Sequence, residues 1–356
     1  MNLPLSSSTP SEEFFMKNSP PFFHLGLVAT AALLAFTGTV QAQSSVTLYG
    51  AVGVDVVSAS KVYTGTSSKS QLLIEDNAIV NSRIGVRGYE DLGGGLGAIF
   101  NLESTVKPDT GSSNSKFWNR GAYVGLTGGL GTLKLGHQWD VADDLMGNYF
   151  IFGYYSPFFF SGFDSLSNYY DNAIKYSSPK IGGFEGGLFV ALGEQSVSSS
   201  AGNFVQGVAT YTAGPFSVGL LADSLKSSTG SGDTNDMWAL GASYDFGVAK
   251  LRGGYAHAEV EIGSPFEANL LDVGLDVPFG PMSGASLDYV KKDVKSSSDD
   301  TQYLRLQGYY RLSKRTTLNS NVIFLKNSGN ADFVWYGDGA PGQKQTILTV
   351  GVTHAF

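Results

Sequence analysis

From residue 43 to the end of the chain, apolar and polar positions alternate with a period of two. In Asn81–Tyr89, Ile84 and Val86 share one face while Arg83, Gly85 and Arg87 share the other. In Thr132–Gly136, Leu133 and Leu135 oppose Thr132, Lys134 and Gly136. The last segment places Leu348, Val350, Val352, His354 and Phe356 on one face. Side chains that alternate in this way belong to strands, because successive residues of an extended chain point to opposite faces.

Two kinds of punctuation separate these segments, and they take turns. Tight Gly- and Pro-rich turns fall at 91–95, 128–131, 179–183, 213–215, 246–249, 278–281 and 313–315. Longer polar loops are expected near 59–78, 107–116, 140–171, 194–203, 226–236, 260–266, 293–301 and 326–345. Seven turns and eight loops join sixteen strands. Sixteen strands with one apolar face, an even count and a short-turn, long-loop asymmetry predict an all-β fold, a 16-stranded antiparallel transmembrane β-barrel. Closure satisfies every backbone amide in lipid, which an open sheet cannot do. At this strand number side chains cannot fill the interior, so an aqueous channel is expected.

The N-terminus reads differently. His24–Phe36 is an apolar run of signal-peptide length, followed by Val40-Gln41-Ala42, a small-x-small cleavage pattern. Residues 1–42 are therefore expected to be a cleaved signal peptide, with residues 43–356 forming the barrel. The first fifteen residues carry Glu12 and Glu13 and no base, whereas Met16-Lys17 supplies a positive n-region, which makes Met16 an alternative start. Export agrees with the absence of cysteine. The whole chain has a net charge of −8, and losing Lys17, Glu12 and Glu13 leaves it acidic, so no nucleic-acid partner is expected.

Several stretches together resemble the general porins of Gram-negative bacteria, in particular the betaproteobacterial trimeric type. They are Ser45–Gly50, Ser82–Leu96, Arg120–Leu126, Gly131–Gly136, Asp171–Pro179, Leu312–Thr316 and Gly351–Phe356. The resemblance implies passive diffusion of small hydrophilic solutes and ions through a homotrimer in the outer membrane. It also implies a third long loop folded inward to form a constriction, and a terminal Phe356 read as a signal by the outer-membrane assembly machinery. Outer-membrane lipid and lipopolysaccharide are the remaining expected partners, and Asp299-Asp300 and Glu75-Asp76 are weighed as sites for divalent ions shared with lipopolysaccharide against plain solvated charge.

The loop at about 140–171 contains Gly147–Asp164, nine aromatics in eighteen residues. Left in water this would be an exposed apolar patch; folded inward, its rings can rest on the wall. Tyr149, Tyr154, Tyr155, Phe158, Phe159 and Phe160 are its candidate aromatic residues, either packing the loop or lining the path. Lining would bias the channel towards sugars or aromatic solutes, the alternative to a plain sieve.

The resemblance also implies a ladder of basic residues facing acids on the inward loop. Arg83 and Arg120 match the ladder, while Arg87, Lys134 and Lys175 are added by strand alternation, although Arg120 shares its parity with Val124 and Leu126. Asp140, Asp143, Asp144 and Asp164 are the loop acids. Where relatives often carry arginine, this chain has His137 and Tyr169; with two bases lost and the acids kept, a modest cation preference is expected. Gly337–Gly342 fits G-x-G-x-x-G but holds Pro341 and leads into no helix, so no cofactor is expected. His137, His257 and His354 are too scattered for a metal site, and with no nucleophile motif the chain is not expected to be an enzyme.

Overall fold

A computed structural model describes residues 44–356. The expected signal peptide lies outside the described residues. The described chain is a closed antiparallel sheet of sixteen strands. They are β1 (Ser45–Tyr63), β2 in two segments (Ser68–Asp76 and Arg83–Gly93), β3 (Leu96–Lys107), β4 (Gly121–Gly128) and β5 (Gly131–Trp139). Next come β6 (Tyr169–Ser177), β7 (Phe184–Ala191), β8 (Phe204–Ala213), β9 (Phe216–Lys226), β10 (Thr234–Asp245) and β11 (Lys250–Val260). The last five are β12 (Phe266–Pro278), β13 (Ser283–Val294), β14 (Thr301–Arg311), β15 (Thr316–Asn327) and β16 (Lys344–Ala355). A two-residue bridge at Ser112–Ser113 folds the second long loop back on β3.

The ring closes where β1 pairs with β16, from Ala51 opposite Ala355 to Ala59 opposite Ile347. Phe356 extends that seam: its N–H donates to the Gly50 carbonyl at 3.0 Å and its carbonyl accepts from Gly50 N–H at 3.2 Å. Alternation sorts the faces as expected. Leu220, Leu240, Leu271, Leu306 and Val350 stand exposed on the outside, where lipid would cover them, while their strand neighbours point inward.

One boundary differs from the sequence reading. The expected loop at 59–78 is mostly strand: β1 continues to Tyr63 and the chain re-enters the sheet at Ser68. Residues 60–71 hold four serines, two lysines, two threonines and a glutamine, a polarity that resembles a loop; a strand that rises above the membrane edge needs no apolar face. The true interruption comes later, at 77–82, between the segments of β2. There Asp55, fully buried, accepts from Asn77 Nδ2 at 2.6 Å, Ala78 N–H at 2.9 Å and Asn319 Nδ2 at 3.1 Å. A break in the ladder leaves backbone groups without sheet partners, and these side chains supply replacements.

The hydrophobic core is not centred between sheets. It lies between the inner wall and the segment joining β5 to β6, residues 140–168, which carries a short helix α1 (Val141–Leu145) and two 3₁₀ turns (Pro157–Phe159 and Asp164–Leu166).

Candidate functional site: the channel constriction

The root of the inward loop is tied by Asp140. One carboxylate oxygen caps α1 by accepting from Asp143 N–H at 2.9 Å, and the other accepts from Asn168 N–H at 2.9 Å. A single buried side chain thus holds the loop's entry and exit together, which is what an Asx residue at an N-cap can do. Lys175 comes up beneath it, donating to the Asp140 carbonyl at 3.2 Å and pairing with Asp144 at 2.7 Å. Asp140 therefore faces the loop's own amides and not the channel.

From this root the loop runs across the wall strands β8 to β14. Gln206 accepts from Ala142 N–H at 2.9 Å and donates to the Ser165 carbonyl at 2.7 Å. Tyr149 shares a 2.7 Å hydrogen bond with Ser217, Asp272 accepts from Ile151 N–H at 2.7 Å, and Tyr303 donates to the Tyr155 carbonyl at 3.0 Å. Asp272 is itself held by a buried cluster in which Arg252 and Arg305 both pair with Asp288. At the far end Tyr154 N–H donates to the Ala78 carbonyl at 3.2 Å, so the interruption in β2 is a docking point for the loop.

The wall is shaped to receive rings. A Cβ at Gly219 or Gly241 would overlap Tyr149, and one at Gly254 would overlap Phe150. These glycines leave hollows in otherwise continuous strands, and aromatic rings fill them. Of the six candidate aromatics, Tyr149, Tyr155 and Phe160 are buried against the wall. Phe160 packs edge-on to Tyr303 and Phe333, and Tyr155 to Trp335. Tyr154 and Phe158 are half-buried, while Phe159 is 53 % exposed and faces the channel. Phe333, Trp335 and Tyr336 come from the last long loop, whose inward contribution the sequence reading did not foresee.

Loop and wall enclose a cavity of about 1180 Å³. On its wall side lie Arg83, Arg87, Arg120, Lys134 and Lys175, all five candidate bases. Arg120 sits just before β4, so strand parity does not govern it and its side chain turns inward. Three of the four candidate acids line the same cavity: Asp143, Asp144 and Asp164. Asp143 accepts from Ser167 at 2.6 Å. Burial raises the carboxyls of Asp143 and Asp164 above their ordinary range, since the enclosing loop and wall disfavour the charged form.

The sequence reading missed one charge at the centre. Glu103 on β3 pairs with Arg120 at 2.7 Å and Arg83 at 3.6 Å, and accepts from the Tyr49 hydroxyl at 2.7 Å. Its inward direction was readable from alternation with Asn101 and Thr105, which stand opposite Arg87 and Arg83. Arg87 and Lys134 have no carboxylate within 4 Å among the described residues; each instead lies 5.1 Å over a ring, Tyr49 and Tyr123 respectively. His137 and Tyr169, the two positions where the resemblance leads one to expect arginine, form an aromatic stack with Trp139. Tyr169 lies 3.5 Å from Trp139 and 5.6 Å from His137, and Arg120 rests 5.8 Å over Tyr169.

The acids considered for divalent ions are engaged by the barrel itself. Glu75 accepts from Tyr336, Asp76 from Ser82 N–H, Asp299 from Asn330 N–H, and Asp300 pairs with Lys291.

Comparison with known proteins places this geometry. The Gram-negative porin family matches residues 29–330. Outer membrane porin protein 32 of Delftia acidovorans is 33 % identical over 346 residues, covering 91 % of this chain and 98 % of the relative. An outer membrane porin protein of Bordetella pertussis is 30 % identical, covering 93 % of this chain and 99 % of the relative. Among solved structures, the anion-selective porin from Comamonas acidovorans superposes with a TM-score of 0.76 at 30 % identity, covering 88 % of this chain and 100 % of that one. A sixteen-stranded barrel narrowed by an inward loop, matched along most of its length to outer-membrane porins, is a channel of that membrane, and the chain belongs to the Gram-negative porin family.

Proposed function

We propose that this channel passes small hydrophilic solutes and ions passively through a narrow, nearly charge-balanced constriction with a slight preference for anions. The observation that carries this reading is the lining: Arg83, Arg87, Arg120, Lys134 and Lys175 face Glu103, Asp143, Asp144 and Asp164, five bases against four acids. The cation preference expected from the sequence rested on His137 and Tyr169 standing where the resemblance expects arginine. Glu103 takes the place of Asp140 in the lining, so the acids stay at four and the five remaining bases still exceed them by one. One net charge about 6 Å from an ion in water-like dielectric is worth roughly 0.7 kcal/mol, or about threefold in preference, less at high salt. A similar solved porin is described as anion-selective, which agrees in sign.

Arg83, Arg120, Arg87, Lys134 and Lys175 are thus proposed as the basic wall and Asp143, Asp144 and Asp164 as the acidic loop residues, while Asp140 is proposed as the residue that fastens the loop. The homotrimer and the role of Phe356 in assembly are retained as proposals from the family resemblance. A signal peptide at 1–42, read from the apolar run His24–Phe36 and the Val40-Gln41-Ala42 pattern, is also retained as a proposal, and so are the barrel's expected partners in lipid and lipopolysaccharide.

The test is single-channel recording of the refolded protein in a planar bilayer under a KCl gradient. Large stepwise conductance with a reversal potential of anion-favouring sign is expected. A cation-favouring sign would restore the sequence-based expectation and place Asp143, Asp144 and Asp164 in control.

A further inference from the structure

Four of the loop's nine aromatic rings line the channel cavity: Phe152, Tyr154 and Phe158, which are partly buried, and Phe159, which is exposed. Phe152 and Phe158 meet edge-on at 4.6 Å and Tyr154 lies 5.9 Å from Phe159, with all four rings lining the channel cavity. Ile79, from the interruption in β2, lines the same space. The rings and this wall segment are held together: Tyr154 N–H donates to the Ala78 carbonyl, and Gly153 approaches the Ala78 and Ile79 carbonyls closely. Four residues after Ile79, where β2 resumes, the basic ladder begins with Arg83 and continues to Arg87. An apolar aromatic shelf and a column of guanidinium groups therefore line one cavity.

A sieve for hydrophilic solutes has no use for such a shelf, since water against exposed rings is unfavourable and a solute that covers them gains burial. What suits both surfaces is a flat apolar ring joined to an anionic head. The ring rests against Phe159 and Tyr154 in offset or edge contact, and the head reaches a guanidinium that offers paired N–H donors to a carboxylate. Arg83 is already shared with Glu103, whereas Arg87 has no carboxylate partner among the described residues. Arg87 is thus the guanidinium open to a passing anion. An aromatic cation would meet the same bases and be repelled, and an aliphatic acid would gain nothing from the shelf.

We propose that the constriction carries a transient site for small aromatic monocarboxylates, the ring on the Phe152–Phe159 shelf and the carboxylate on Arg87. The proposal rests on the channel reading above. It is tested by adding 3-phenylpropionate, propionate or 3-phenylpropylammonium to single channels conducting KCl. The expected result is concentration-dependent interruption of the current by 3-phenylpropionate in the millimolar range, and none at equal concentration from propionate or the amine. Phe159→Ala, at a half-exposed position outside the packed core, is expected to raise the half-blocking concentration about fivefold, and Arg87→Gln about threefold. Normal KCl conductance with 3-phenylpropionate no more effective than propionate would overturn the site and leave the channel standing. Block that persists unchanged in both variants would overturn it as well. A folded barrel, verified by its heat-dependent gel mobility, that conducts no KCl would overturn the channel reading itself.

Discussion

On the loop side of the opening, Tyr149 and Phe150 are buried in hollows left by glycines and Phe160 against neighbouring rings, and hydrogen bonds to Ser217, Asp272 and Tyr303 fix the segment between them. On the wall side, Arg83, Arg120 and Glu103 hold one another in a partly wet cluster that lines the channel. The first side is fixed by shape and the second by charge. Shape complementarity in a buried contact is sensitive to a single methyl group. Charge in a water-filled opening is screened, so each group shifts preference by small factors. Loop position and ion preference are therefore under separate control, and changes to one side should leave the readout of the other nearly untouched.

The largest expected effect tests the shape-fixed side with two adjacent glycines of β11. A Cβ at Gly254 overlaps the buried Phe150 ring, while one at Gly253 has the Asp272 carbonyl at 3.6 Å as its nearest neighbour. Gly254→Ala is expected to destabilise the loop by about 1–3 kcal/mol. It would lower the midpoint of the heat-induced gel shift and add flicker to the open-channel current. Gly253→Ala is expected to be neutral or slightly stabilising, because it trims the freedom of the unfolded chain without meeting an obstacle. Equal behaviour of the two variants would show that the rings do not depend on the hollows. Neither variant should move the reversal potential.

The charge-fixed side is sharpened by Glu103→Gln. The amide keeps a hydrogen-bond acceptor for Tyr49 and Arg120 but removes the one wall carboxylate shared by Arg83 and Arg120. The excess of bases over acids at the lining rises by one, and anion preference is expected to grow about threefold in dilute salt. The gel-shift midpoint should change little, since these groups are only partly buried. A large loss of stability with no change in reversal potential would mean that the cluster is structural and that selectivity is set elsewhere.

How much of this was legible in the sequence follows the same division. The barrel was legible because alternation is a property of each strand and survives any error in its neighbours: Ile84 and Val86 declare their face without reference to the rest of the chain. The polar stretch after Ala59 misled, because strands above the membrane edge lose the apolar face that marks them. The basic wall was readable by parity, except at Arg120, whose place before β4 is set by the turn at 117–120. The loop's aromatic content was obvious, but which ring is buried depends on the partner hollow. Gly241 and Tyr149 are paired only by the folded barrel, so composition could not tell Tyr149 from Phe159. Glu103 lies between the stretches that carry the family resemblance, so alternation with Asn101 and Thr105 is the one signal that marks it.

The smallest expected effect couples the two sides. Asp143 and Asp164 stand on the loop but line the channel, and enclosure by loop and wall raises both carboxyls above their ordinary range. They therefore take up protons at higher pH than free carboxylates do. As pH falls from neutral, the lining first loses negative charge on the loop side while the guanidinium groups stay charged. Anion preference is expected to rise as pH falls, by less than about threefold for each proton taken up, because Asp143 is partly withdrawn from the path by its bond to Ser167. Reversal potentials recorded across a pH series would show this as a shift that Asp143→Asn combined with Asp164→Asn abolishes, the double variant holding the low-pH value throughout. If the shift survives in that variant, the titrating group lies on the wall, and the loop contributes shape alone.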